Sequence, residues 1–409
     1  MKRTLTLLTV TRASLKSVRR AVCLRLSPLR YGSLCLALLL APLAALHAAE
    51  DPAPDRDIAL EPPHVITSPW PQHIPPTKRQ GVPGIERTAK GRLWTSYGRD
   101  VESSRTFQIL KCSDDDGRSW SEVKLMILPR QGTRAMSASI WIDPQRRMWL
   151  FWGQSAGQWD GRFGVWAIVT DDPDAEHPQW SQPRRIGDGV LLNKPTVLAN
   201  GDWLLPASVS KVENSIRVYA STDQGRTFQL RGTANVLPPE ARGPDEPMIV
   251  ERKDGSLWMM VRRQGMAETF SHDGGRTWSP VERSSLQHPT SRFFLRRLRT
   301  GNLLLIKHGP LNQRTKREQL TAYVSDDDGK TWQGGLMLDE REDVTYPDGV
   351  QAEDGTIYVI YDYKRTPEGA VLMATFKEED ARAGKPVSGK VRLRMEVDRL
   401  PKNGAPKAP

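Results

Sequence analysis

A chain of 409 residues, 38% of them hydrophobic, can build a sizeable core. Its 32 glycines, 31 prolines and 13 tryptophans favour short strands and many turns over a helical bundle. The formal charge of +11 arises from 59 basic and 48 acidic residues, but the first 49 residues hold eight basic and no acidic ones, so the remainder nets only +3. That balance argues against a nucleic-acid-binding surface, and after Ala49 no apolar run approaches the roughly 18 residues of a membrane span.

Residues 1–49 read as an export segment. Lys2, Arg3, Arg12, Lys16, Arg19, Arg20, Arg25 and Arg30 form a basic region, residues 34–46 a short apolar run, and Leu46-His47-Ala48-Ala49 a small-residue cleavage site near Ala48. The alternative is an uncleaved anchor, for which the run is short. A periplasmic or extracellular protein follows. Cys23 and Cys35 fall in this segment, without a convincing lipobox before Cys35. Only Cys112 is left beyond it, so neither an internal disulfide nor a cysteine-based zinc site is expected. No metal or organic cofactor is implied.

The rest of the chain is repetitive. A tight turn followed by an apolar strand recurs six times, roughly 50 residues apart. The copies are Lys90-Gly91-Arg92-Leu93-Trp94, Gln145-Arg146-Arg147-Met148-Trp149, Asn200-Gly201-Asp202-Trp203-Leu204, Asp254-Gly255-Ser256-Leu257-Trp258, Thr300-Gly301-Asn302-Leu303-Leu304 and Asp354-Gly355-Thr356-Ile357-Tyr358. Each follows another short apolar run and predicts a β-hairpin. A second unit, Ser-x-Asp-x-Gly-x-Ser/Thr-Trp/Phe, appears at Ser113–Trp120, Ser221–Phe228, Ser271–Trp278 and Ser325–Trp332, with a degenerate copy at Thr170-Asp171-Asp172. Its Ser and Asp side chains suit the backbone groups of a turn, its Gly accepts positive φ and its ring packs beneath the sheet. The boxes are therefore expected to staple hairpins; calcium binding is the alternative. Six such units predict an all-β, six-bladed propeller over residues 50–390, with residues 391–409 as a flexible, solvated tail.

Aligning the repeats on the hairpin turn locates the residues that enter each inner strand: Val82-Pro83, Ser137-Ala138-Ser139, Lys194-Pro195, Glu246-Pro247, Arg292-Phe293 and Tyr346-Pro347. Lys194, Glu246, Arg292 and Tyr346 stand where blade packing would prefer apolar residues, as a polar or anionic ligand at the axis would require.

The four boxes and their spacing resemble the Asp-boxes of the sialidase superfamily, over roughly residues 75 to 375. That resemblance implies a tyrosine nucleophile deprotonated by a glutamate, an arrangement suited to an anionic sugar that would repel a carboxylate nucleophile. The stretch Asp343-Val344-Thr345-Tyr346-Pro347-Asp348-Gly349 is similar to the family's nucleophile segment, and Asp245-Glu246-Pro247-Met248-Ile249-Val250 to the segment bearing its partner. Tyr346 and Glu246 are thus the expected pair. Of the family's three carboxylate-binding arginines, Arg317 matches the third, and Arg262 or Arg263 the second. At the first, glycine stands in Gly81-Val82-Pro83, with Arg79 two residues earlier as a substitute and Arg292 as a further candidate. The acid/base is expected at Glu102, with Asp100 as the alternative. The reading is an exported exo-glycosidase acting on a terminal acidic sugar of a glycan, with Lys194 and the arginines holding the glycone. A non-catalytic carbohydrate-binding propeller and a structural or protein-interaction propeller are the alternatives.

Overall fold

A computed structural model describes residues 60–67, 77–101, 103, 105–130, 132–156, 163–209, 215–235 and 246–401; the expected export segment and Glu102 lie outside them. The described chain forms six antiparallel sheets arranged as a propeller. Blade one contains β1 (His64–Ile66), β2 (Gln80–Arg87), β3 (Leu93–Arg99), β4 (Phe107–Ser113) and β5 (Leu125–Leu128) in the order β1-β5-β4-β3-β2. Blade two contains β6 (Thr133–Ile142), β7 (Met148–Ala156), β8 (Phe163–Thr170) and β9 (Arg184–Asp188). Blade three contains β10 (Thr196–Val197), β11 (Trp203–Val209), β12 (Ser215–Ser221) and β13 (Gln229–Asn235). Blade four contains β14 (Met248–Glu251), β15 (Leu257–Arg262), β16 (Met266–Ser271) and β17 (Glu282–Arg283). Blade five contains β18 (Phe294–Arg297), β19 (Leu303–His308), β20 (Leu320–Ser325) and β21 (Gln333–Asp339). Blade six contains β22 (Val344–Gln351), β23 (Thr356–Tyr363), β24 (Ala370–Lys377) and β25 (Arg392–Arg399), with a short helix α1 (Glu378–Ala383) before β25. Among the described residues no helix is long and apolar enough to cross a membrane.

The six predicted turns join the two innermost strands of the six blades, β2 and β3 in blade one. In each, the fourth turn residue donates to the carbonyl of the first: Gly91 to Thr88, Arg146 to Asp143, Gly201 to Leu198, Gly255 to Arg252, Gly301 to Leu298 and Gly355 to Ala352, all at 2.8–3.0 Å. Second strands such as β7 and β23 are buried along their whole length. Neighbouring blades cover both their faces, so these strands read as continuous apolar runs rather than alternating ones. The core is accordingly divided into wedges. One packs Trp141, Trp149 and Phe151 against Trp203 and Leu205, with Trp141 and Trp203 edge to face at 4.7 Å. Another joins Ile85, Tyr97 and Phe107 of blade one to Tyr358, Ile360 and Met373 of blade six.

The boxes follow the third strand of their blades counted from the axis and act as staples. In blade four, Ser271 Oγ donates to Asp273 Oδ1 at 2.8 Å and accepts from Gly275 N at 2.9 Å, while Thr277 Oγ1 donates to Asp273 Oδ2 at 2.6 Å. The same bonds recur around Asp115, Asp223 and Asp327. The hydroxyl and amide of the Ser or Thr four residues after each aspartate, with the hydroxyl of the box serine, hold all three carboxyls down at about 2. Two of the box glycines, Gly225 and Gly329, also face rings across the blade boundary. A Cβ on Gly329, where φ is +85°, would lie 2.5 Å from Cζ3 of Trp258 in the preceding blade.

The chain beyond Lys390 differs from expectation. Instead of a solvated tail over 391–409, β25 completes blade six, pairing Leu372 with Glu396 and Met373 with Met395. Only residues 402–409 of that stretch lie outside the described residues. β25 reads as solvated because most of its side chains are exposed or half-buried. Its backbone nevertheless completes the ladder, and its Asp398 accepts from Tyr97 (2.8 Å), Arg99 (2.6 Å) and Lys111 (3.3 Å) of blade one.

Two outcomes follow for stability. Gly329→Ala meets both the backbone strain of positive φ and the Trp258 ring, and should cost about 1–3 kcal/mol more than Gly255→Ala, since a Cβ at Gly255 has open space around it. Paired melting curves measure the difference. A carboxyl near 2 when folded, against about 3.9 unfolded, stabilises the fold fully above about pH 4 and ceases to as pH falls towards 2. Melting temperatures of Asp327→Asn and the parent should therefore differ at pH 6 and converge by pH 2. The gap should be modest, because solvent screens this exposed turn.

Candidate active site

Three inner strands carry the same irregularity. Pairing shifts between Gly81 and Gly84 of β2, between Met136 and Ser139 of β6, and between Thr345 and Asp348 of β22, so two residues oppose one on the neighbouring strand. Within each bulge one residue turns to positive φ: Val82 at +58°, Ser137 at +55° and Tyr346 at +56°; Glu246, at the entrance to blade four, adopts +45°. Such backbone is costly for side chains of this kind and is characteristic of functional positions. The bulged residues are those that the turn alignment singled out.

The structure brings Tyr346 and Glu246 together. Tyr346 Oη donates to Glu246 Oε1 at 2.7 Å. One Arg262 nitrogen donates to the same oxygen at 2.7 Å and to Tyr346 Oη at 2.9 Å. Tyr346 is 9% exposed and Glu246 1%. Burial, followed by the charge of Glu246, raises the Tyr346 pKa above the usual phenol value, against the lowering effects of Arg262 and Arg365. Burial works against the charge on Arg262, but Glu246 and Tyr346 more than offset it, so its pKa is raised. Glu246 Oε2 is buried and has no hydrogen-bond partner among the described residues. Beside the phenol, Val82, Met136, Phe163, Val190 and Leu192 form an apolar wall.

The other expected residues make the following contacts. Of the two candidates for the second arginine, Arg262 reaches the pair; Arg263 is half-buried beyond the end of β15. Lys194 donates to the carbonyl of Ile85 and to Glu86 Oε1 (2.6 Å), and lies 3.3 Å from Asp348 Oδ2. Arg292 donates to Asn193 Oδ1 at 2.8 Å and lies 3.5 Å from Asp348 Oδ1. Both cations thus belong to a buried network that ties blades one, three, five and six together. Arg317 is half-buried and donates to Thr290 O at 2.9 Å. Arg79 is half-buried just before β2. Asp100 makes its polar contacts within its own turn, with Arg105 at 3.0 Å and Ser103 Oγ at 3.2 Å.

One residue at the site escaped the sequence reading. Arg365, in the turn after β23, places its guanidinium carbon 4.1 Å from the centroid of the Tyr346 ring. Its Nε donates to Asp362 Oδ2 at 3.0 Å, and that oxygen also accepts from Val82 N at 2.8 Å. The available signal was an aspartate ending the apolar run of β23, three residues before an arginine. Behind the site, His308 Nε2 donates to Val344 O at 2.7 Å and its Nδ1 accepts from His288 Nε2 at 3.0 Å. Burial lowers both imidazoles, His308 to about 4, so a neutral pair braces the start of β22.

A family model described as a BNR repeat-like domain matches residues 111–359, more than half of the chain. No curated protein matches in sequence. Among solved structures, a Hadza microbial sialidase superposes with a TM-score of 0.61 at 18% identity, covering 75% of this chain and 67% of that one. A leech intramolecular trans-sialidase complexed with 2,7-anhydro-Neu5Ac gives 0.59 at 13% identity, covering 75% and 69%. Trypanosoma rangeli sialidase in complex with sialic acid gives 0.54 at 16% identity; the match covers 70% of this chain and 52% of that one, so the chain spans about half that protein's length. At these identities the likeness is one of fold.

Glu246 and Arg262 form a buried ion pair, so removing one partner leaves the other's charge uncompensated. Arg262→Met should destabilise the protein by about 3–5 kcal/mol, whereas Glu246→Gln with Arg262→Met should recover part of that loss. A double-mutant cycle by chemical unfolding checks this; strictly additive losses would mean that the two groups do not interact.

Proposed function

This chain belongs to the BNR repeat-like propellers of the sialidase superfamily, and on that premise we propose that it is an exported, retaining exo-glycosidase that removes a terminal acidic sugar from a glycan. The observation that carries this reading is the 2.7 Å hydrogen bond from Tyr346 Oη to Glu246 Oε1. A nucleophile within reach of its base, with the base oriented by a third group, is the arrangement that covalent catalysis requires. Tyr346 gives its proton to Glu246 and its oxygen bonds to the anomeric carbon. Glu102 or Asp100 protonates the departing oxygen and then activates the water that releases the sugar. Arg262 donates to both members of the pair and so fixes their mutual geometry. Of the other cations, Arg317 and Arg79 stay with the glycone in this reading. Lys194 and Arg292 serve instead to rigidify the axis on which the pair is mounted.

A second reading, a propeller that binds carbohydrate without turnover, draws on the same side chains. Glycine replaces the first arginine at Gly81, and Lys194 and Arg292 pair with Glu86 and Asp348, which thins the clamp for an anionic sugar. A hydrolysis screen with aryl glycosides of sialic acid, uronic acids and neutral sugars separates the two. The parent should turn over an acidic glycoside, Tyr346→Phe should fall to background, and Glu246→Gln should lose about 10²–10⁴-fold in kcat. Undiminished turnover in Tyr346→Phe would overturn the mechanism. Binding by the parent without turnover would favour the second reading.

A further inference from the structure

Tyr346 is contacted by cations on two sides. Arg262 meets its oxygen, and Arg365 lies on its ring face, 4.1 Å from the guanidinium carbon to the centroid. Arg365 is buried and held in place by Asp362, which is fully buried and itself fixed by Val82 N, by Thr345 Oγ1 and by Arg365 Nε. The seat exists because residue 81 has no side chain. A Cβ on Gly81 would lie 2.6 Å from Asp362 Oδ2, 2.9 Å from Arg365 Nε and 3.1 Å from Arg365 Cγ. Real Cβ atoms are excluded at the first two distances, so either the ion pair or the side chain must give way. Gly81 and Arg365, almost 300 residues apart in sequence, form one device.

We propose that Arg365 is a positioning residue for Tyr346: laid on the ring, it eases formation of the phenolate, and Gly81 is what allows it to lie there. The proposal rests on reading Tyr346 as the nucleophile. When the proton passes from Tyr346 Oη to Glu246 Oε1, the carboxylate becomes neutral and the negative charge moves onto the phenol. The oxygen's electron pair then forms the bond to the anomeric carbon as the bond to the leaving oxygen breaks. A cation over an aromatic face is attracted to the neutral ring and more strongly to its anion, so it favours the transferred state. The other groups facing Tyr346 are Glu246, which opposes phenolate formation until it takes the proton, Arg262, which favours it, and the uncharged wall of Val82, Met136, Phe163 and Leu192. Asp362 tempers the charge of Arg365 through its bond to Nε at 3.0 Å.

The test needs no substrate. Difluorotyrosine placed at position 346 of the full chain lowers the phenol pKa into a range that the fold tolerates, and ¹⁹F NMR reads its titration. In Arg365→Met the fluorophenol should titrate higher than in the otherwise unchanged protein, by between about half and one and a half pH units, with Arg365→Lys in between. If Arg365→Met does not fold, Gly81→Ala, which keeps the arginine in the chain but displaces it, should move the titration in the same direction. Identical titration curves in the parent and in whichever of these two variants folds would overturn the proposal. Failure of the glycoside screen would reject the enzymatic reading and leave this titration result standing.

Discussion

Blade one and blade six meet without exchanging a strand. Each is built from one contiguous stretch of chain, so among the described residues the ring is closed without a shared strand ladder. An apolar wedge fills most of the junction. The directional part comes from three aspartates of blade six that accept from blade one: Asp348 from Ile85 N, Asp362 from Val82 N, and Asp398 from Tyr97, Arg99 and Lys111. Two of these, Asp348 and Asp362, also bracket Tyr346. Asp362 thus takes part both in closing the propeller and in seating Arg365 on the phenol ring, so axial geometry and ring closure share a constraint.

The same constraint explains the charge arrangement around the axis. Desolvation makes an unpaired charge there expensive, and the structure answers with local neutrality. Lys194 sits among Glu86 and Asp348, Arg365 faces Asp362, and Arg262 faces Glu246. In the last of these groups the cation also reaches a neutral hydroxyl, which leaves a proton that can move within it. The networks around Lys194 and Arg365 fix the scaffold, and the one around Arg262 carries the chemistry proposed for it.

Much of this architecture was legible in the sequence because it rests on short-range chemistry. A glycine turn at a fixed place in each repeat and a Ser-x-Asp-x-Gly box encode their own hydrogen bonds, and the repeat length follows from counting them. Aligning on those turns also reached Tyr346 and Glu246, whose bulged entrances lie a constant distance ahead. What local pattern could not show was pairing across the ring. β25 alternates poorly and is half solvated, so only its partner β24 and the ligands of Asp398 reveal it as a strand. Lys194 and Arg292 look like free cations until Asp348, some 50 to 150 residues away, is seen between them. The vacancy at Gly81 reads as a lost arginine; its physical sense emerges only when Arg365 is found filling the space.

Five of the six blade junctions are crossed by the polypeptide itself, so separating those blades still leaves them tethered. The junction between blade six and blade one has no such tether. Under a stretching force, or at the first loosening by denaturant, this is where the circle can part into a C-shaped array with its neighbouring blades intact. Since Tyr346 stands on one lip of that seam and Gly81 on the other, the arrangement around Tyr346 should be among the first things surrendered, well before the blades themselves melt.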